Sequence, residues 1–562
     1  MRTIIKSFSK HGTLIQPDTL EYIMSKENPE EFTSFVTKHL KEFPLILTLE
    51  HVKQLENSMK TEETPSPLPI GGSQEIKEIQ TKMLSSIYDS KPSYTLSEDV
   101  ELEFDDPDKE DQIEVPEEDL EEPSTSQIPQ VVEIKKVKTW KPPAKEYNAE
   151  IKVIKDVTGN SLCEGTTDDF TKLFVNRYNS IRKILRSQRR ELANAVPISR
   201  IKKSSLKDIQ IIGIVKDVRT TTNGHRLIEI EDETDTATCI ALKNNHQIHQ
   251  IANEVVLDEI IGIQGRLSKN GDLIIINNII YPDISIQNKR HKSEVPLYAA
   301  FLSDIHIGSK KFMTEQWNSF LKWINGQLGN TRQREVAGKI KYIIVPGDVV
   351  DGIGIYPNQE KELLIGDVYR QYEALAEQLR FIPDHINIIM QPGNHDAVRP
   401  AEPQPTFEKE IQDLFSDMNI TFVGNPCYFS IHNVEILSYH GQSLLDYATN
   451  VQHLKYNEPV EIMKTMLRKH HLAPTYGGYT PLAPEHIDYM VIDRIPDVFV
   501  TGHVHLAQIS DYRGVKLINA SSWQAQTTYQ KMLNFIPDSA KLPILDLKTG
   551  NVTMMDFSKK YL

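Results

Sequence analysis

The sequence is poor in cysteine and has no long apolar run. Its 562 residues include three cysteines, Cys163, Cys239 and Cys427, which are far apart and odd in number. This pattern predicts neither a disulfide framework nor a CxxC zinc site, and it fits a reducing compartment. No apolar run reaches the roughly 18 residues that a membrane span requires, and the N-terminus lacks the apolar core of a signal peptide. We therefore expect a cytoplasmic protein with no membrane partner.

Positive charge is outweighed by negative charge, but the acidic excess is local. The formal net charge is −15 at pH 7, and the segment from Glu98 to Glu122 holds fifteen Asp or Glu residues and one lysine. The rest of the chain is therefore nearly neutral, so the acidity does not exclude nucleic-acid binding by folded parts. Such an acidic run is typical of a solvated tether that repels itself into an extended chain.

The length of the chain predicts several domains, because 562 residues are too many for one hydrophobic core. Residues 1–56 are predicted to form a small helical domain, in which a helix begins at Asn28-Pro29. The apolar face of that helix, which could pack internally or dock a partner, is formed by Phe32, Phe35, Val36 and Leu40. Residues 57–145 are rich in Pro, Ser and acidic side chains, which predicts a disordered acidic linker.

Residues 146–290 are predicted to hold a strand, an amphipathic helix and an OB-type barrel. The strand is expected over 149–157, and the helix after it ends in a basic cluster that could complement the helix dipole or contact phosphate. Five strand-like runs follow, and Asn223-Gly224 and Asn270-Gly271 each predict a hairpin turn between two of them. The barrel could bind single strands or serve as an interface, and its strands carry few aromatic residues for base stacking.

Residues 291–562 alternate apolar strand-like runs with helical patterns, as in a layered α/β domain. Five of these runs end in side chains that bind metals. The five groups are Asp304-Ile-His306, Gly347-Asp348, Gly393-Asn394-His395-Asp396, His440-Gly441 and Gly502-His503-Val-His505. Because sites in α/β domains gather beyond the carboxyl ends of the strands, we expect these side chains to meet.

The chemistry of the five groups predicts a dinuclear metal site that cleaves phosphoesters. Two aspartates, one asparagine and four histidines can hold two ions if one carboxylate is shared, and this mixture suits Mn²⁺, Fe or Zn²⁺ better than Mg²⁺. Two close ions can activate water and neutralise phosphoryl charge. His395, beside the ligand Asn394, is placed to assist the departing oxygen, and Asp396 could hold the tautomer of that histidine.

The order of the five groups resembles the calcineurin-like metallophosphoesterase superfamily. This resemblance implies two metal spheres that share Asp348, with His395 as the catalytic histidine. One sphere would contain Asp304, His306, Asp348 and His505. The other would contain Asp348, Asn394, His440 and His503. The fold class expected is therefore a multidomain α+β protein whose last domain is a metallophosphoesterase.

Four flanking segments are similar to the small subunits of archaeal D-family DNA polymerases, over about residues 146–562. They are Gly352–Pro357, Pro392–Pro405, Leu472–Pro484 and Asp497–His505. That family implies a 3′–5′ exonuclease that proofreads for a large catalytic subunit, at the nucleoid, with two divalent transition-metal ions, Mn²⁺ being favoured. The implied partners are the large subunit and DNA with a 3′ end, and a sliding clamp is a further candidate.

Two alternatives to a proofreading exonuclease remain open from the sequence. The chain could be a catalytically silent scaffold that binds the large polymerase subunit, or a phosphatase of the same superfamily. Arg399, which lies close to His395 in the sequence, is a candidate contact for DNA.

Overall fold

The computed structural model describes residues 140–203 and 208–559, together with short segments between residues 14 and 52. These short segments contain two helices, α1 (Pro17–Met24) and α2 (Pro29–His39), and two paired strands, β1 (Leu14–Ile15) and β2 (Ile46–Leu47). Helix α2 begins at the proline predicted to be its first residue, a position that needs no backbone N–H. Most of the predicted linker, residues 57–139, lies outside the described residues.

The chain between residues 140 and 203 packs against both of the domains that follow it. A 3-10 turn covers Pro143–Glu146, and strand β3 covers Ile151–Lys155. Helix α3 (Thr167–Gln188) starts with a capping box, in which the Thr166 hydroxyl accepts from the Asp169 N–H and the Asp169 carboxylate accepts from the Thr166 N–H. Two further 3-10 turns, Arg190–Leu192 and Ile198–Lys203, lead to the barrel.

The predicted five-stranded barrel is confirmed. Its strands are β4 (Ile209–Thr220), β5 (Arg226–Glu231), β6 (Thr236–Ala241), β7 (Ile260–Leu267) and β8 (Ile274–Ile280), with helix α4 (His246–Ala252) between β6 and β7. They close in the order β4-β5-β6-β8-β7. Gly224 and Gly271 have φ values of 78° and 75°, which explains why both predicted turns contain glycine. Buried isoleucines fill the barrel interior.

The remaining described residues contribute eleven strands and seven helices, and the strands form two six-stranded sheets together with β3. The strands are β9 (Tyr298–Phe301), β10 (Ile340–Val345), β11 (Asn387–Met390), β12 (Ile420–Phe422), β13 (Cys427–Ile431), β14 (Val434–Ser438), β15 (Val498–Thr501), β16 (Gln508–Tyr512), β17 (Val515–Asn519), β18 (Lys541–Asp546) and β19 (Val552–Asp556). The helices are α5 (Thr314–Ile324), α6 (Thr331–Lys339), α7 (Val368–Leu379), α8 (Lys409–Asp413), α9 (Leu444–Asn450), α10 (Pro459–Lys469) and α11 (Thr528–Met532). A short 3-10 turn covers Gln359–Lys361.

The two sheets pack face to face, and helices cover their outer faces. The first sheet has the order β12-β11-β10-β9-β18-β19 and the second has the order β16-β17-β15-β14-β13-β3. Side chains of both sheets, such as Phe301 and Phe429, share one buried cluster. Aromatic residues of α5, including Trp317, pack on the first sheet, and methionines of α10 pack on the second. The predicted α/β layers are therefore present, arranged as helix, sheet, sheet and helix.

Strand β3 belongs to the second of these sheets, which corrects the predicted grouping of residues 146–290 with the barrel. It pairs antiparallel with β13, through partners such as Ile151 and Ile431. Residues 140–145, predicted to end the linker, also pack here, because Trp140 lies against Gly326 and Ala144 is fully buried. A run of alternating residues predicts a strand but does not identify its partner, so the sequence could not assign β3 to its sheet.

Buried ion pairs join the barrel and helix α3 to the two-sheet domain. The guanidinium of Arg177, in α3, donates to Asp488 at 2.7 Å, and both side chains are almost fully buried. Lys469, at the end of α10, pairs with Glu259 from the barrel and donates to the Glu254 carbonyl at 2.8 Å. Buried pairs of this kind are costly to break, because the partner left behind is an uncompensated charge. Among the described residues, no helix is long and apolar enough to cross a membrane.

Candidate metal centre

The residues predicted to bind metal follow strand ends in both sheets. Asp304 and His306 follow β9, Asp348 follows β10 and Asn394 follows β11, all in the first sheet. The second sheet supplies the remaining three residues, which follow β14 and β15 and are His440, His503 and His505. The seven side chains converge at one edge of the sandwich, as the sequence predicted, and Asp304, His306, Asp348 and His440 are almost fully buried.

Five of these residues have a left-handed backbone conformation that is rare for residues other than glycine. Their φ values range from 50° to 67°, and they are Asp304, His306, Asp348, His503 and His505. Such conformations cost of order 1–3 kcal/mol each and persist only where the surrounding structure imposes them. Backbone strain at several neighbouring residues is typical of a functional site. Here the left-handed backbone turns each side chain back toward the common centre.

Glycines next to the predicted ligands allow this close packing. A Cβ atom at Gly393 would lie 2.3 Å from Asp348 Oδ1, and one at Gly502 would lie 2.5 Å from Asp304 Oδ2. Gly347 has a φ of 110°, and a Cβ there would lie 2.6 Å from His440 Nδ1. The glycines of the sequence motifs are therefore required because the backbone passes directly beneath the ligand atoms.

One group of potential ligand atoms comes from Asp304, His306 and His505. These atoms lie within 4.8 Å of one another. The two imidazole Nε2 atoms are 3.1 Å apart, and His505 Nε2 is 3.4 Å from Asp304 Oδ1. Both Asp304 oxygens also accept from the His503 N–H at 3.0 Å, which fixes the carboxylate.

A second group comes from Asp348, His440 and His503, again within 4.8 Å. His440 Nε2 is 3.3 Å from Asp348 Oδ2 and 3.0 Å from Asn394 Oδ1. His440 Nδ1 lies 2.9 Å from the Pro346 carbonyl, which can only accept, so Nδ1 carries a proton and Nε2 is the ring atom that faces Asp348 and Asn394. Burial disfavours the charged ring, but Asp348 outweighs it and raises the pKa of His440 to about 10, so a cation bound at Nε2 would displace a proton. Asp348 Oδ2 is also 3.9 Å from His306 Nε2, which places this carboxylate between the two groups.

The electrostatics of the two groups fit cation binding. Burial lowers the pKa of His503 to about 3, so its imidazole is neutral at physiological pH, as a ligand must be. Burial also disfavours the charged forms of Asp348 and Asp304, but the surrounding histidines outweigh it and hold both carboxyl pKa values below their usual range. Among the described residues, no lysine or arginine forms an ion pair with either carboxylate. Two buried carboxylates surrounded by imidazoles are therefore a donor set suited to divalent transition metals.

His395, the predicted catalytic histidine, lies beside both groups. Its backbone N–H donates to Asp348 Oδ1 at 2.9 Å, and its Nδ1 lies 2.8 Å from the Asp351 carbonyl. A carbonyl can only accept, so Nδ1 carries a proton and Nε2 is the ring atom that faces the centre, 3.9 Å from Asp348 Oδ2. The side chain is also partly exposed, so a substrate could reach it.

Residues 299–510 match the family model of the B subunits of DNA polymerases alpha and epsilon. The chain is 44% identical to the DNA polymerase II small subunit of Archaeoglobus fulgidus over 388 residues, 69% of this chain and 77% of that relative. It is 42% identical to the corresponding protein of Methanocaldococcus jannaschii, over 72% of this chain and 68% of that relative. The chain belongs to the DNA polymerase II small subunit family. The resemblance to archaeal D-family small subunits is thereby confirmed.

The match to a third relative covers a similar share of this chain. The small subunit of Methanothermobacter thermautotrophicus is 41% identical over 415 residues, which cover 74% of this chain and 84% of that relative. The matched lengths are shorter than this chain but long enough to include the barrel together with the two-sheet domain.

In this small subunit, Asp396 does not orient His395, contrary to the prediction. Asp396 Oδ2 accepts from the Gly393 N–H at 2.8 Å and from the Val349 N–H at 3.4 Å, and Oδ1 accepts from the Tyr372 hydroxyl. Burial, with a contribution from Asp348, raises the pKa of Asp396 to about 7. The carboxyl group therefore stabilises the loop that follows β11. His395 and Asp396 are adjacent in sequence, which suggested a contact, but the loop directs their side chains to different partners.

Asp351, which was not among the residues predicted from the sequence, takes the orienting role. Its Oδ1 lies 3.1 Å from His306 Nδ1 and accepts a hydrogen bond from the Gln524 amide at 2.8 Å. Its backbone carbonyl accepts a hydrogen bond from His395 Nδ1. The residue is fully buried. One signal was present in the sequence, because Asp351 follows Asp348 by three residues in a loop that already carries a predicted ligand.

Arg399, the predicted DNA contact, forms several contacts within the protein. Its guanidinium donates to Glu485 at 2.8 Å, to the Pro403 carbonyl and to the Ser161 hydroxyl. These contacts tie the loop after β11 to the segment that precedes α3. The charge of Arg399 is paired with the buried Glu485, which gives this residue a structural role, and its contact with DNA stays a prediction.

Proposed function

We propose that this small subunit is a metal-dependent 3′–5′ exonuclease that proofreads within a DNA-directed DNA polymerase complex. The single observation that carries the proposal is the complete, convergent donor set of two carboxylates, four imidazoles and one amide. Family membership supports the role of an accessory subunit of a replicative polymerase. The large catalytic subunit and DNA with a 3′ end are the partners proposed here, and a sliding clamp is a further candidate.

The distances in the centre support two cation positions that share Asp348. The first position would use the group of Asp304, His306 and His505, and the second would use the group of His440, His503 and Asn394. Two divalent transition-metal ions, with Mn²⁺ favoured over Fe or Zn²⁺, would supply activated water and neutralise charge on the phosphoryl group. The protein contributes a buried, fixed set of donors that needs little rearrangement when the substrate binds.

His395 would act on the departing 3′ oxygen. Its Nδ1 proton is held by the Asp351 carbonyl, so Nε2 is the atom available to a substrate in the centre. In its imidazolium form the ring carries a second proton on Nε2, and transfer of that proton to the oxygen would neutralise the charge that develops as the phosphodiester bond breaks, leaving a neutral ring that keeps the Nδ1 proton. The expected product is a nucleoside monophosphate from the 3′ end.

The direct test uses the purified chain, Mn²⁺ and a single-stranded oligonucleotide labelled at its 5′ end. We expect stepwise shortening by the wild type, and a strong loss of shortening in Asp348→Ala and His395→Ala. His453→Ala is a matched control, because this histidine is more than half exposed and lies beside Glu254, outside the metal centre.

Three results would contradict the proposal in different ways. Equal cleavage by wild type and Asp348→Ala would reject the site assignment. Rapid turnover of a small aryl phosphate without action on DNA would favour the phosphatase alternative. Absence of bound metal and of cleavage, even with the large polymerase subunit present, would favour the scaffold.

A further inference from the structure

Two stacked tyrosines lie at the mouth of the metal centre. The rings of Tyr356 and Tyr529 are 5.7 Å apart between centroids and are inclined by 24°. The Tyr356 ring is also 6.5 Å from the His395 ring. Tyr529 is 44% exposed, so this member of the pair is accessible from solvent. We call this pair the aromatic platform.

The aromatic platform is fixed to the metal centre from both sides. Tyr356 follows Gly352, whose α-carbon packs so closely on His395 that a Cβ atom would lie 2.2 Å from the His395 carbonyl oxygen. Tyr529 lies in α11, and the next residue, Gln530, places its side-chain nitrogen 3.1 Å from His505 Nδ1. The two elements that carry the tyrosines therefore contact a predicted ligand and the predicted catalytic histidine directly.

Glu362 connects the two halves of the platform. One carboxylate oxygen accepts from the Tyr356 hydroxyl at 3.3 Å, and the other accepts from the Thr528 N–H, at the start of α11, at 3.1 Å. The buried Gln359 fixes the loop further, because it accepts from the Ile355 N–H and donates to the Asp351 carbonyl. A rigid, partly exposed aromatic pair that is held by so many contacts is suited to bind a flat ligand.

We infer that the aromatic platform stacks on the unpaired base next to the scissile phosphodiester and so positions single-stranded 3′ ends in the metal centre. This inference rests on the proposed exonuclease function. Every base has a π face, so stacking on tyrosine tolerates any sequence. A base that is paired within a duplex is already stacked and would have to be released first, which makes frayed or mismatched ends the preferred substrates. Among the described residues of the barrel strands, aromatic side chains are few, so the barrel is less suited to this role.

The chemistry around the platform also fits a nucleic acid strand. Exposed lysines lie on the same segments as the two tyrosines, namely Lys361 after the Tyr356 loop and Lys531 in α11. Apolar side chains near them are exposed as well, including Ile353 at 48% and Met532 at 74%. A docked protein could cover the apolar side chains instead, and binding of the large polymerase subunit by the Tyr529 variants distinguishes these two occupants.

The experiment compares Tyr529→Ala, Tyr529→Phe and wild type on two oligonucleotides, one with a normal 3′-terminal base and one with an abasic 3′-terminal sugar. Tyr529→Ala removes a ring on which one base would stack, so we expect it to raise KM for the normal end about tenfold with little change in kcat. Tyr529→Phe keeps the ring and should behave as wild type. On the abasic end, wild type and Tyr529→Ala should be alike. Tyr476→Ala is the matched control, because Tyr476 is 46% exposed but packs on Phe170 in α3.

A binding measurement keeps the inference separate from the proposed function. An oligonucleotide with hydrolysis-resistant 3′-terminal linkages carries 2-aminopurine as its last base, and stacking on the platform should quench its fluorescence in the wild type but not in Tyr529→Ala. Quenching without cleavage would reject the exonuclease and retain the platform. Cleavage with equal KM for wild type and Tyr529→Ala on the normal end would overturn the platform alone. Loss of binding to the large polymerase subunit, with unchanged DNA parameters, would assign the surface to a protein and also overturn it.

Discussion

Replacing Asp351 by asparagine should weaken one metal position and leave the other intact. The Asp351 carboxylate lies 3.1 Å from His306 Nδ1 and is buried, so it fixes the tautomer of this ligand and raises the basicity of Nε2. Hydrogen-bond partners of this kind typically contribute a factor of about 10–100 in metal affinity. The loss corresponds to about 1.4–2.8 kcal/mol of binding free energy. The Asp351→Asn substitution keeps the size of the side chain and the oxygen that accepts from Gln524, so the fold should be preserved.

The second metal position supplies an internal control for this substitution. His440 is held by the Pro346 carbonyl through Nδ1, and no side-chain substitution at Asp351 removes that contact. Calorimetric titration of the metal-free chain with Mn²⁺ should therefore show two binding events in the wild type. In Asp351→Asn we expect one event about 10–100-fold weaker and one unchanged. If both events weaken equally, or neither changes, the assignment of Asp351 to the His306 position is wrong.

Four further predictions concern catalysis and stability. His395→Gln should slow DNA cleavage by about 10²–10⁴-fold without changing Mn²⁺ affinity in the same titration, and a parallel loss of affinity would contradict its catalytic role. Asp488→Asn should cost about 3–5 kcal/mol in urea unfolding at neutral pH, because it leaves Arg177 buried without its ionic partner. Burial disfavours the Asp488 carboxylate, but Arg177 and His471 outweigh it and hold the pKa of Asp488 well below its usual range. The stabilisation by this carboxylate is therefore full above about pH 4 and is lost as the pH falls through the folded-state pKa. The urea midpoints of wild type and Asp488→Asn should accordingly converge on acidification. Arg399→Ala should lower the urea midpoint and leave KM for DNA unchanged, and a raised KM with normal stability would restore this residue as a DNA contact.

The convergence of the predicted ligand residues could be inferred from sequence because each follows a short apolar run directly. A strand that ends at Phe301 or Val345 brings the next few residues to the edge of its sheet, so local spacing decides where Asp304 and Asp348 lie. The barrel could be predicted for a similar reason, because its hairpin turns are local and use Asn-Gly pairs at Gly224 and Gly271.

The supporting residues could not be predicted because their contacts are remote in sequence. Gln524 and Gln530 reach Asp351 and His505 from segments that no motif marks, and only the folded chain brings them together. Asp396 shows the reverse error, since adjacency suggested a contact that the turn after Gly393 prevents. Side-chain direction within a loop depends on backbone angles, and spacing alone does not determine those angles.

The pairing of β3 with β13 has a consequence for synthesis of the chain. Residues Ile151–Lys155 leave the ribosome first, and their partner strand Cys427–Ile431 follows only after the whole barrel has been made. At about 5–20 residues per second, β3 waits roughly tens of seconds without a partner. The barrel can fold during that interval, whereas the two-sheet domain must wait for nearly the whole chain. The candidate metal centre therefore forms late, and a chain that stops before its final strands would carry a folded barrel without that centre.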